Sequence, residues 1–297
     1  MTASIIDGKR IADEVKKEVK RDAERLKTQS GVTPGLAFIL VGENPASQSY
    51  VRMKGKACEE LGFHSVTERL SDTISEQFLL DLIRKFNADS KIHGILVQLP
   101  LPNHINENCL LDSVDYRKDV DGFHPVNMGR LVIGKPCLKP CTPLGIQELL
   151  IRSGNDPGGK HVVVVGRSNI VGKPIANILL QKQKGANAVV TIAHTGSENL
   201  SEHTRRADIL IAAIGKPGFV TGDMVKEGVV VIDVGINRVV EPSSKNGFRL
   251  TGDVDFAAVS KKASAITPVP GGVGPMTIAM LMRNTLEAAR GTIYSDF

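Results

Sequence analysis

Four short apolar runs in the second half of the chain constrain the fold more than any other feature. They read HVVVVG, AVVTIAH, DILIAAIG and VVVIDVG, and they begin at residues 161, 188, 208 and 229. Each run is nearly continuous in apolar residues, which is typical of strands buried on both faces of a parallel sheet. Helical patterns separate the runs, so this half predicts a Rossmann-type parallel-sheet domain.

The first half shows the same alternation of apolar runs and helical patterns. Its runs are GLAFILVG, SVTERL and GILVQLP, preceded by the amphipathic helical pattern GKRIADEVKKEVKRDAERLK. The sequence therefore predicts an α/β protein in which the Rossmann-type domain and a second α/β catalytic domain are joined by long helices, with a cleft between them. The predicted domains are residues 1–140 with 276–297, and residues 141–275. The last helix, residues 275–290, is expected to pack on the first domain.

Composition excludes several classes of function. The 297 residues are 41% hydrophobic, and no apolar run approaches the ~20 residues of a membrane helix or forms a signal peptide, so we expect a cytoplasmic protein with no membrane partner. The net charge is +5, but Lys and Arg are scattered and aromatic residues make up only 4%, so no nucleic acid is expected either. We interpret Cys58, Cys109, Cys137 and Cys141 as reduced thiols, because they form no CxxC pair.

The segment HVVVVGRSNIVGKPIANILL provides the strand–turn–helix context of a phosphate-binding turn. Gly166 makes the turn, but Ser168 stands where the second glycine of GxGxxG would be, and Gly172 falls one place later than the third. The flanking strand and helix favour a nucleotide site over a purely structural turn.

The segment after the second strand of this half bears on the choice of dinucleotide. An NAD-preferring enzyme usually has an acidic residue there for the ribose 2′-hydroxyl, whereas this chain has His194 and Thr195. A 2′-phosphate would not be repelled, and Arg167 can supply a guanidinium for it. This favours NADP over NAD; a surface arginine is the alternative interpretation of Arg167.

Polar residues in the first half form a candidate catalytic set. Asn44 is expected to cap a helix that begins at Pro45, which places Tyr50 and Lys54 one turn apart on the same face. Such a lysine can be a base, but a solvated helical lysine is the commoner case. Gln98 ends a buried strand, where its amide needs hydrogen-bond partners.

Two loops leave structural and functional interpretations open. In KDVDGFHPVN, Asp119 and Asp121 could hold a metal, but a loop or capping role is favoured because no further ligands cluster nearby. In TPVPGGVGPMT, residues 267–277, the prolines and glycines could form a stiff connector or a backbone wall that a ligand approaches closely.

Seven segments, in order along the chain, closely resemble one enzyme family. They are YVRMK (50–54), GILVQLPLP (94–102), KDVDGFHPVN (118–127), PCTPLG (140–145), VVGRSNIVGKP (164–174), VIDVGIN (231–237) and TPVPGGVGPMT (267–277). The family is the bifunctional methylenetetrahydrofolate dehydrogenase/methenyltetrahydrofolate cyclohydrolase, and the resemblance covers essentially the whole chain. It implies oxidation of 5,10-methylenetetrahydrofolate with NADP, then hydrolysis to 10-formyltetrahydrofolate, a step of one-carbon metabolism. It also implies a homodimer, in which residues 141–275 bind NADP and the split domain binds folate.

The resemblance also implies roles for individual residues. By motif position, Lys54 handles protons in the cyclohydrolase step, Gln98 tunes it, Tyr50 forms an aromatic wall against the folate, and Asp121 accepts N–H donors of the pterin ring. An ordinary lysine is protonated at neutral pH, and burial beside the cationic substrate would lower its pKa. The residues implied for substrate binding are these four with Val97, Leu99, Pro100, Pro270 and Gly271. Those implied for cofactor binding are Gly166, Arg167, Ser168, Val171, Gly172, Thr195, Ile214, Gly215, Ile236, Gly274 and Thr277; no metal is implied.

One position departs from the family pattern. Members often carry a serine and a basic residue after the histidine that corresponds to His194, whereas Thr195 and Gly196 follow it here. Thr195 keeps a hydroxyl for the 2′-phosphate but adds no charge, which leaves Arg167 as the main discriminator. Two other hypotheses are a shikimate-type dehydrogenase, which would not explain VQLPLP and PGGVGPMT together, and a silent homologue that only binds folate or nucleotide.

Overall fold

The computed structural model describes residues 3–244 and 247–294; the outer limits of the predicted domains, residues 1 and 297, lie outside that part. Up to residue 152 the elements are β1 (Ser4–Ile5), α1 (Gly8–Ser30), β2 (Gly35–Val41), α2 (Pro45–Leu61), β3 (His64–Leu70), α3 (Glu76–Ala88), β4 (Gly94–Gln98), α4 (Glu107–Ser113), α5 (Pro125–Val132) and α6 (Cys141–Arg152). After them come β5 (His161–Val165), α7 (Gly172–Leu179), β6 (Val189–Ala193), α8 (Leu200–Arg205), β7 (Ile209–Ala212), β8 (Val230–Asp233), β9 (Asn237–Val240), β10 (Phe248–Thr251), α9 (Phe256–Val259), β11 (Ala265–Ile266) and α10 (Val273–Arg290).

The chain forms two compact units. The six-stranded unit contains Met1–Asp13 and Thr142–Thr277, and the three-stranded unit contains Glu14–Cys141 and Ile278–Phe297. The chain passes from one unit to the other inside α1, α6 and α10. Residues 1–13 fall in the six-stranded unit, unlike in the predicted division, because β1 pairs with β11 there.

The six-stranded unit is built on a parallel sheet with the strand order β1-β11-β8-β7-β5-β6. Strands β7 and β8 are buried at every residue, and β5 at all but its first. Val163, Val165, Leu210 and Val231 of these strands form a core with Val220 and Val259. The parallel sheet predicted from the four apolar runs is confirmed.

Strand β6 differs from the prediction that all four runs are buried on both faces. It lies at one edge of the sheet, and Val189 and Ile192 are 64% and 42% exposed. An edge strand has one neighbour only, so an apolar run does not by itself guarantee burial. The antiparallel pair β9–β10 forms a separate small sheet.

The three-stranded unit has the parallel strand order β3-β2-β4. The central strand β2 is buried along its whole length. Helix α3 begins after Ser75, whose Oγ accepts a hydrogen bond from N of Phe78 at 3.3 Å, and it buries its apolar face in the core beside the sheet. Residues 278–294 belong to this unit.

Candidate active site

Helix α2 places Lys54 in the interior of the three-stranded unit. Oδ1 of Asn44 accepts hydrogen bonds from N of Ala46 and N of Ser47, at 3.0 and 3.1 Å, and the helix begins at Pro45, as predicted. From that start, Lys54 falls on the buried face and is only 7% exposed, whereas Tyr50, one turn earlier, is 39% exposed.

The structure brings Lys54 and Gln98 together. Nζ of Lys54 donates to Oε1 of Gln98 at 3.1 Å, and Nε2 of Gln98 donates to the carbonyl oxygen of Leu99 at 2.9 Å. The second contact fixes the amide so that its oxygen faces the lysine. Gln98 is the last residue of β4, so this contact lies at the carboxyl end of a strand in a parallel sheet, where α/β proteins usually bind ligands.

Three other residues predicted for substrate binding are neighbours of Gln98 in the sequence. Val97 is buried within β4, and Leu99 and Pro100 follow directly, with Leu99 half-buried and Pro100 exposed. They lie at the carboxyl end of β4, next to Gln98 in the sequence.

Asp121 lies in a loop that Asp119 organises. Oδ1 of Asp119 accepts from N of Gly122 at 3.1 Å, and Oδ2 accepts from N of His124 at 2.7 Å and Nδ2 of Asn127 at 2.9 Å. Asp119 also bridges to Ile95 of β4 in parallel, so the loop follows that strand towards its carboxyl end. Of the loop and capping roles expected for these carboxylates, Asp119 has the loop role.

The Asp121 carboxyl group has an unusual electrostatic environment. Burial raises its pKa, while the positive charge of Lys54 and a hydrogen bond from the Cys141 thiol act in the opposite direction. Cys141 Sγ also lies 3.2 Å from the carbonyl oxygen of Val120. Nδ2 of Asn284 donates to the same oxygen at 2.7 Å, which fixes the backbone just before Asp121.

In the six-stranded unit, the turn after β5 requires its glycines. Gly166 has a φ of +131°, and a Cβ there would lie 2.1 Å from the carbonyl oxygen of Ala213. A Cβ on Gly172 would lie 2.2 Å from the carbonyl oxygen of Gly166. Oγ of Ser168 accepts from N of Val171 and N of Gly172, at 3.1 and 3.3 Å, so a hydroxyl closes the turn where a glycine was expected.

The remaining residues predicted for cofactor binding gather at the carboxyl ends of the parallel strands. Thr195 follows β6, Ile214 and Gly215 follow β7, and Ile236 follows β8. The sheet order places β5 between β6 and β7, so the connections that follow β5 and β7 leave the sheet in opposite directions. The position between β5 and β7 is therefore a topological switch point, where dinucleotides bind in doubly wound sheets.

The residues of this edge fit a dinucleotide with a 2′-phosphate. Gly215 has a φ of +76°, and no atom of the described chain lies within 4 Å of the position of a Cβ, so the backbone there is open to a ligand. Arg167 is exposed beside the glycine turn, and no carboxylate stands at His194 or Thr195. A guanidinium without a competing acidic neighbour suits a phosphate.

The segment of residues 267–277 has a structural reason for part of its glycine content. A Cβ on Gly8 would lie 1.8 Å from the carbonyl oxygen of Gly272, and N of Lys9 donates to the carbonyl oxygen of Gly271 at 3.1 Å. The segment therefore packs tightly on the start of α1. Pro270 is exposed, and Gly274, whose Cβ position is 3.6 Å from Ile236, opens the first turn of α10. Oγ1 of Thr277 lies 2.9 Å from Oγ1 of Thr142.

Sequence reasoning missed two buried carboxylates at the same strand ends, Asp233 and Asp253. They are 3% and 0% exposed, and both accept hydrogen bonds from backbone N–H groups. Their signal in the sequence was weak, because each stands in a Gly/Asp-containing segment that also reads as an ordinary turn.

Comparisons with known proteins agree with the seven motifs. Residues 6–121 match the catalytic domain of the tetrahydrofolate dehydrogenase/cyclohydrolase family, and residues 140–293 match its NAD(P)-binding domain. The bifunctional protein FolD of Syntrophus aciditrophicus is 61% identical over 290 residues, which cover 98% of each chain.

Solved structures give the same result. The bifunctional FolD enzyme of Campylobacter jejuni is 49% identical with a TM-score of 0.91, over 97% of this chain and 99% of that one. The FolD of Trypanosoma brucei, solved with NADP cofactor and an inhibitor, is 38% identical with a TM-score of 0.92, over 99% of this chain and 100% of that one. The chain therefore belongs to the tetrahydrofolate dehydrogenase/cyclohydrolase family and is an NADP-dependent methylenetetrahydrofolate dehydrogenase and methenyltetrahydrofolate cyclohydrolase.

Proposed function

We propose that Lys54, Gln98, Tyr50 and Asp121 act on the folate in this enzyme, which oxidises 5,10-methylenetetrahydrofolate and hydrolyses the methenyl product. The contact of 3.1 Å between Nζ of Lys54 and Oε1 of Gln98 carries the assignment. A lysine that is 7% exposed has lost most of its water and depends on protein partners, unlike a solvated helical lysine.

In the cyclohydrolase step, Lys54 orients the attacking water and moves its proton at Nζ. The methenyl carbon is already electrophilic, so the enzyme supplies orientation and proton transfer instead of a nucleophilic side chain. Gln98 keeps the amine in place, since its own amide is held by the Leu99 carbonyl group. The exposed face of Tyr50 provides an aromatic wall for the folate.

Asp121 binds the pterin ring as an acceptor for its N–H donors. The positive charge of Lys54 favours the carboxylate form of Asp121, because the two groups interact electrostatically. Val97, Leu99 and Pro100, with Pro270 and Gly271, complete the proposed substrate contacts.

When bound, NADP would supply the acceptor for the hydride that leaves the methylene carbon. The turn from Gly166 through Ser168 and Val171 to Gly172 holds its phosphates, and Arg167 with Thr195 holds the 2′-phosphate. Ile214, Gly215 and Ile236, with Gly274 and Thr277, contact the remainder of the dinucleotide. Residues 141–275 are the proposed NADP-binding domain, and residues 1–140 with 276–297 the folate-binding domain.

The test of this assignment is Lys54→Met. Cyclohydrolase activity should be abolished, because general acid–base groups typically contribute ~10² to 10⁴-fold. Dehydrogenase activity should remain measurable, because N10 of the folate can supply the electrons for hydride departure. Methenyltetrahydrofolate should therefore accumulate when methylenetetrahydrofolate and NADP are supplied, and its absorbance measures it.

The matched control is Lys56→Met, on the same helix but on its exposed face, where Nζ lies 3.8 Å from Glu60. It should hydrolyse methenyltetrahydrofolate like the wild type. If a folded Lys54→Met variant also does so, Lys54 is not the proton-handling group.

We further propose that the enzyme is a cytoplasmic homodimer. Support for the dimer comes from the edge strand β6, where Val189 and Ile192 are exposed, and from Val240 on β9, which is 81% exposed. A second copy of the chain would cover these side chains. Among the described residues no helix is long and apolar enough to cross a membrane. Support for a reducing compartment comes from Cys58, Cys137 and Cys141, which are buried as free thiols.

A further inference from the structure

Asp253 connects two loops of the six-stranded unit through its buried carboxylate. Oδ2 accepts hydrogen bonds from N of Ile214 at 2.6 Å and N of Gly215 at 2.8 Å. Oδ1 accepts from Nδ2 of Asn237 at 2.8 Å. One side chain thus satisfies the donors of the loop after β7 and of the residue that follows Ile236.

Asp233, the last residue of β8, holds Asp253 in turn. Its Oδ1 accepts from N of Asp253 at 2.9 Å and N of Gly235 at 3.0 Å, and its Oδ2 accepts from N of Val254 at 3.0 Å. A Cβ on Gly252 would lie 1.8 Å from Oδ2 of Asp233, so this approach requires glycine. We call Asp233 and Asp253 the carboxylate clamp.

Burying the carboxylate clamp costs folding free energy. Two adjacent carboxylates leave water, and burial raises the pKa of Asp233 to about 6, with a further contribution from the charge of Asp253. Backbone N–H groups compensate this cost only if each one stays in place. Apolar residues of similar size would fill the same space without needing hydrogen-bond donors in fixed positions.

The geometry points to Asp253 as a positioning residue for NADP, holding the Ile214–Gly215 peptide and the Ile236–Asn237 segment in their binding conformation. This inference rests on the cofactor contacts proposed above for Ile214, Gly215 and Ile236. Because a trans peptide is planar, turning N–H of Gly215 towards Asp253 turns the carbonyl oxygen of Ile214 to the opposite side. That oxygen is then available to hydroxyl or amide donors of the dinucleotide.

The variant Asp253→Asn tests the inference. The NH₂ group of the new asparagine must replace one of the two carboxylate oxygens. In one orientation it faces the backbone N–H groups of Ile214 and Gly215, and in the other it faces Nδ2 of Asn237; in both cases a donor meets a donor. The KM for NADP should rise roughly tenfold to a hundredfold, the usual range for losing hydrogen bonds to a charged group. Cyclohydrolase activity on supplied methenyltetrahydrofolate, measured without NADP, should stay at the wild-type level.

A reciprocal exchange distinguishes hydrogen bonding from general damage. In the double variant Asp253→Asn/Asn237→Asp, the amide oxygen at 253 can accept from both backbone N–H groups, and its NH₂ can donate to the carboxylate at 237. The KM for NADP should return most of the way to the wild-type value. If the Asp253→Asn single variant does not fold, Asn237→Ala, which removes only the Oδ1 partner, should still raise that KM.

An unchanged KM for NADP in folded Asp253→Asn overturns the inference, as does an equal loss of both activities without recovery in the double variant. Ile236→Ala separates this failure from failure of the proposed cofactor site, because it truncates an exposed apolar contact and leaves the clamp intact. If only Ile236→Ala raises the KM, the cofactor site stands and the clamp has no positioning role. If neither variant raises it, the proposed contacts at these loops are wrong as well.

Discussion

Arg167 is held by no ion pair within residues 3–244 and 247–294, although it lies beside a turn that brings backbone N–H groups together. A guanidinium in this position is available to a doubly charged phosphate, and the charge contributes to discrimination only when that phosphate is present. In the proposed site, selectivity for NADP over NAD thus depends on a side chain that forms no ion pair within the described residues.

Replacing Arg167 by alanine should therefore change selectivity more than turnover. The KM for NADP should rise far more than the KM for NAD, and the ratio should move by roughly tenfold to a hundredfold, since a charge-assisted contact is worth ~1.5 to 3 kcal/mol. Steady-state kinetics with each dinucleotide measures this.

The control is Lys173→Ala, which removes an exposed cation of α7 that donates to Oδ1 of Asn169 at 2.7 Å. It should leave the ratio near its wild-type value. A ratio that stays constant in Arg167→Ala would place the 2′-phosphate elsewhere.

Single residues of the site differ in how far the sequence could predict them. The roles of Asn44 and Gly166 could be predicted from local rules for helix caps and turns. In the structure Asn44 caps α2, and Gly166 has the positive φ of a turn glycine. The contact between Lys54 and Gln98 joins residues that are 44 positions apart, and only the family resemblance pointed to it. Asp253 was missed because its role depends on how three loops pack, which no local pattern records.

At the scale of elements, His93 fastens β4 to β2. Its Nδ1 accepts a hydrogen bond from N of Gly35 at 3.0 Å, and its backbone N donates to the carbonyl oxygen of Gly35 at 2.8 Å. Burial and the nearby charge of Lys118 lower the pKa of the imidazole, with a further contribution from His64, and Asp89 opposes them. A protonated Nδ1 could not accept the bond.

The sign of the pH dependence follows from this lowered pKa. Between the folded-state pKa and the ordinary value near 6.5, the unfolded chain binds more protons, so stability falls as the pH drops below about 6.5. The urea midpoint of the wild type should therefore decrease between about pH 7.5 and about pH 5.5.

The variant His93→Asn should reduce that decrease, because the amide oxygen can replace Nδ1 as acceptor and does not titrate. His203→Gln, on α8, is the control and should keep the wild-type decrease. An identical pH response in wild type and His93→Asn would show that other groups govern acid stability.

Elements marked by an apolar run or by a helical apolar pattern were predicted from the sequence. Helix α1 and strands β2, β4, β5, β7 and β8 follow the apolar patterns of the sequence. The exposure of β6 was not predictable, because strand order decides which run lies at an edge. The pair β9–β10 was not predicted because each strand has only four residues and none of them is buried.

For the whole molecule, the exposed side chains of β6 and β9 lead to a prediction about assembly. Sedimentation velocity should give a particle of twice the chain mass of 31.9 kDa. Val189→Lys should shift the population towards the monomer, because a charge would have to be desolvated in an apolar interface.

The matched control is Ile133→Lys, at an apolar residue after α5 in the three-stranded unit that is 68% exposed. It should sediment like the wild type. A wild-type protein that sediments as a monomer at micromolar concentration would contradict the proposed homodimer.

The path of the chain between its two units has a consequence for biosynthesis. The backbone before Asp121 is anchored by Asn284, and residues 278–290 are translated after every residue of the six-stranded unit. While the ribosome still covers them, nearly all residues of the six-stranded unit have been exposed, whereas the loop that contains Asp121 lacks its contact with Asn284. The nascent protein thus gains most of its NADP-binding unit before it can organise the proposed folate site, and the second site is completed only after Asn284 has left the ribosome.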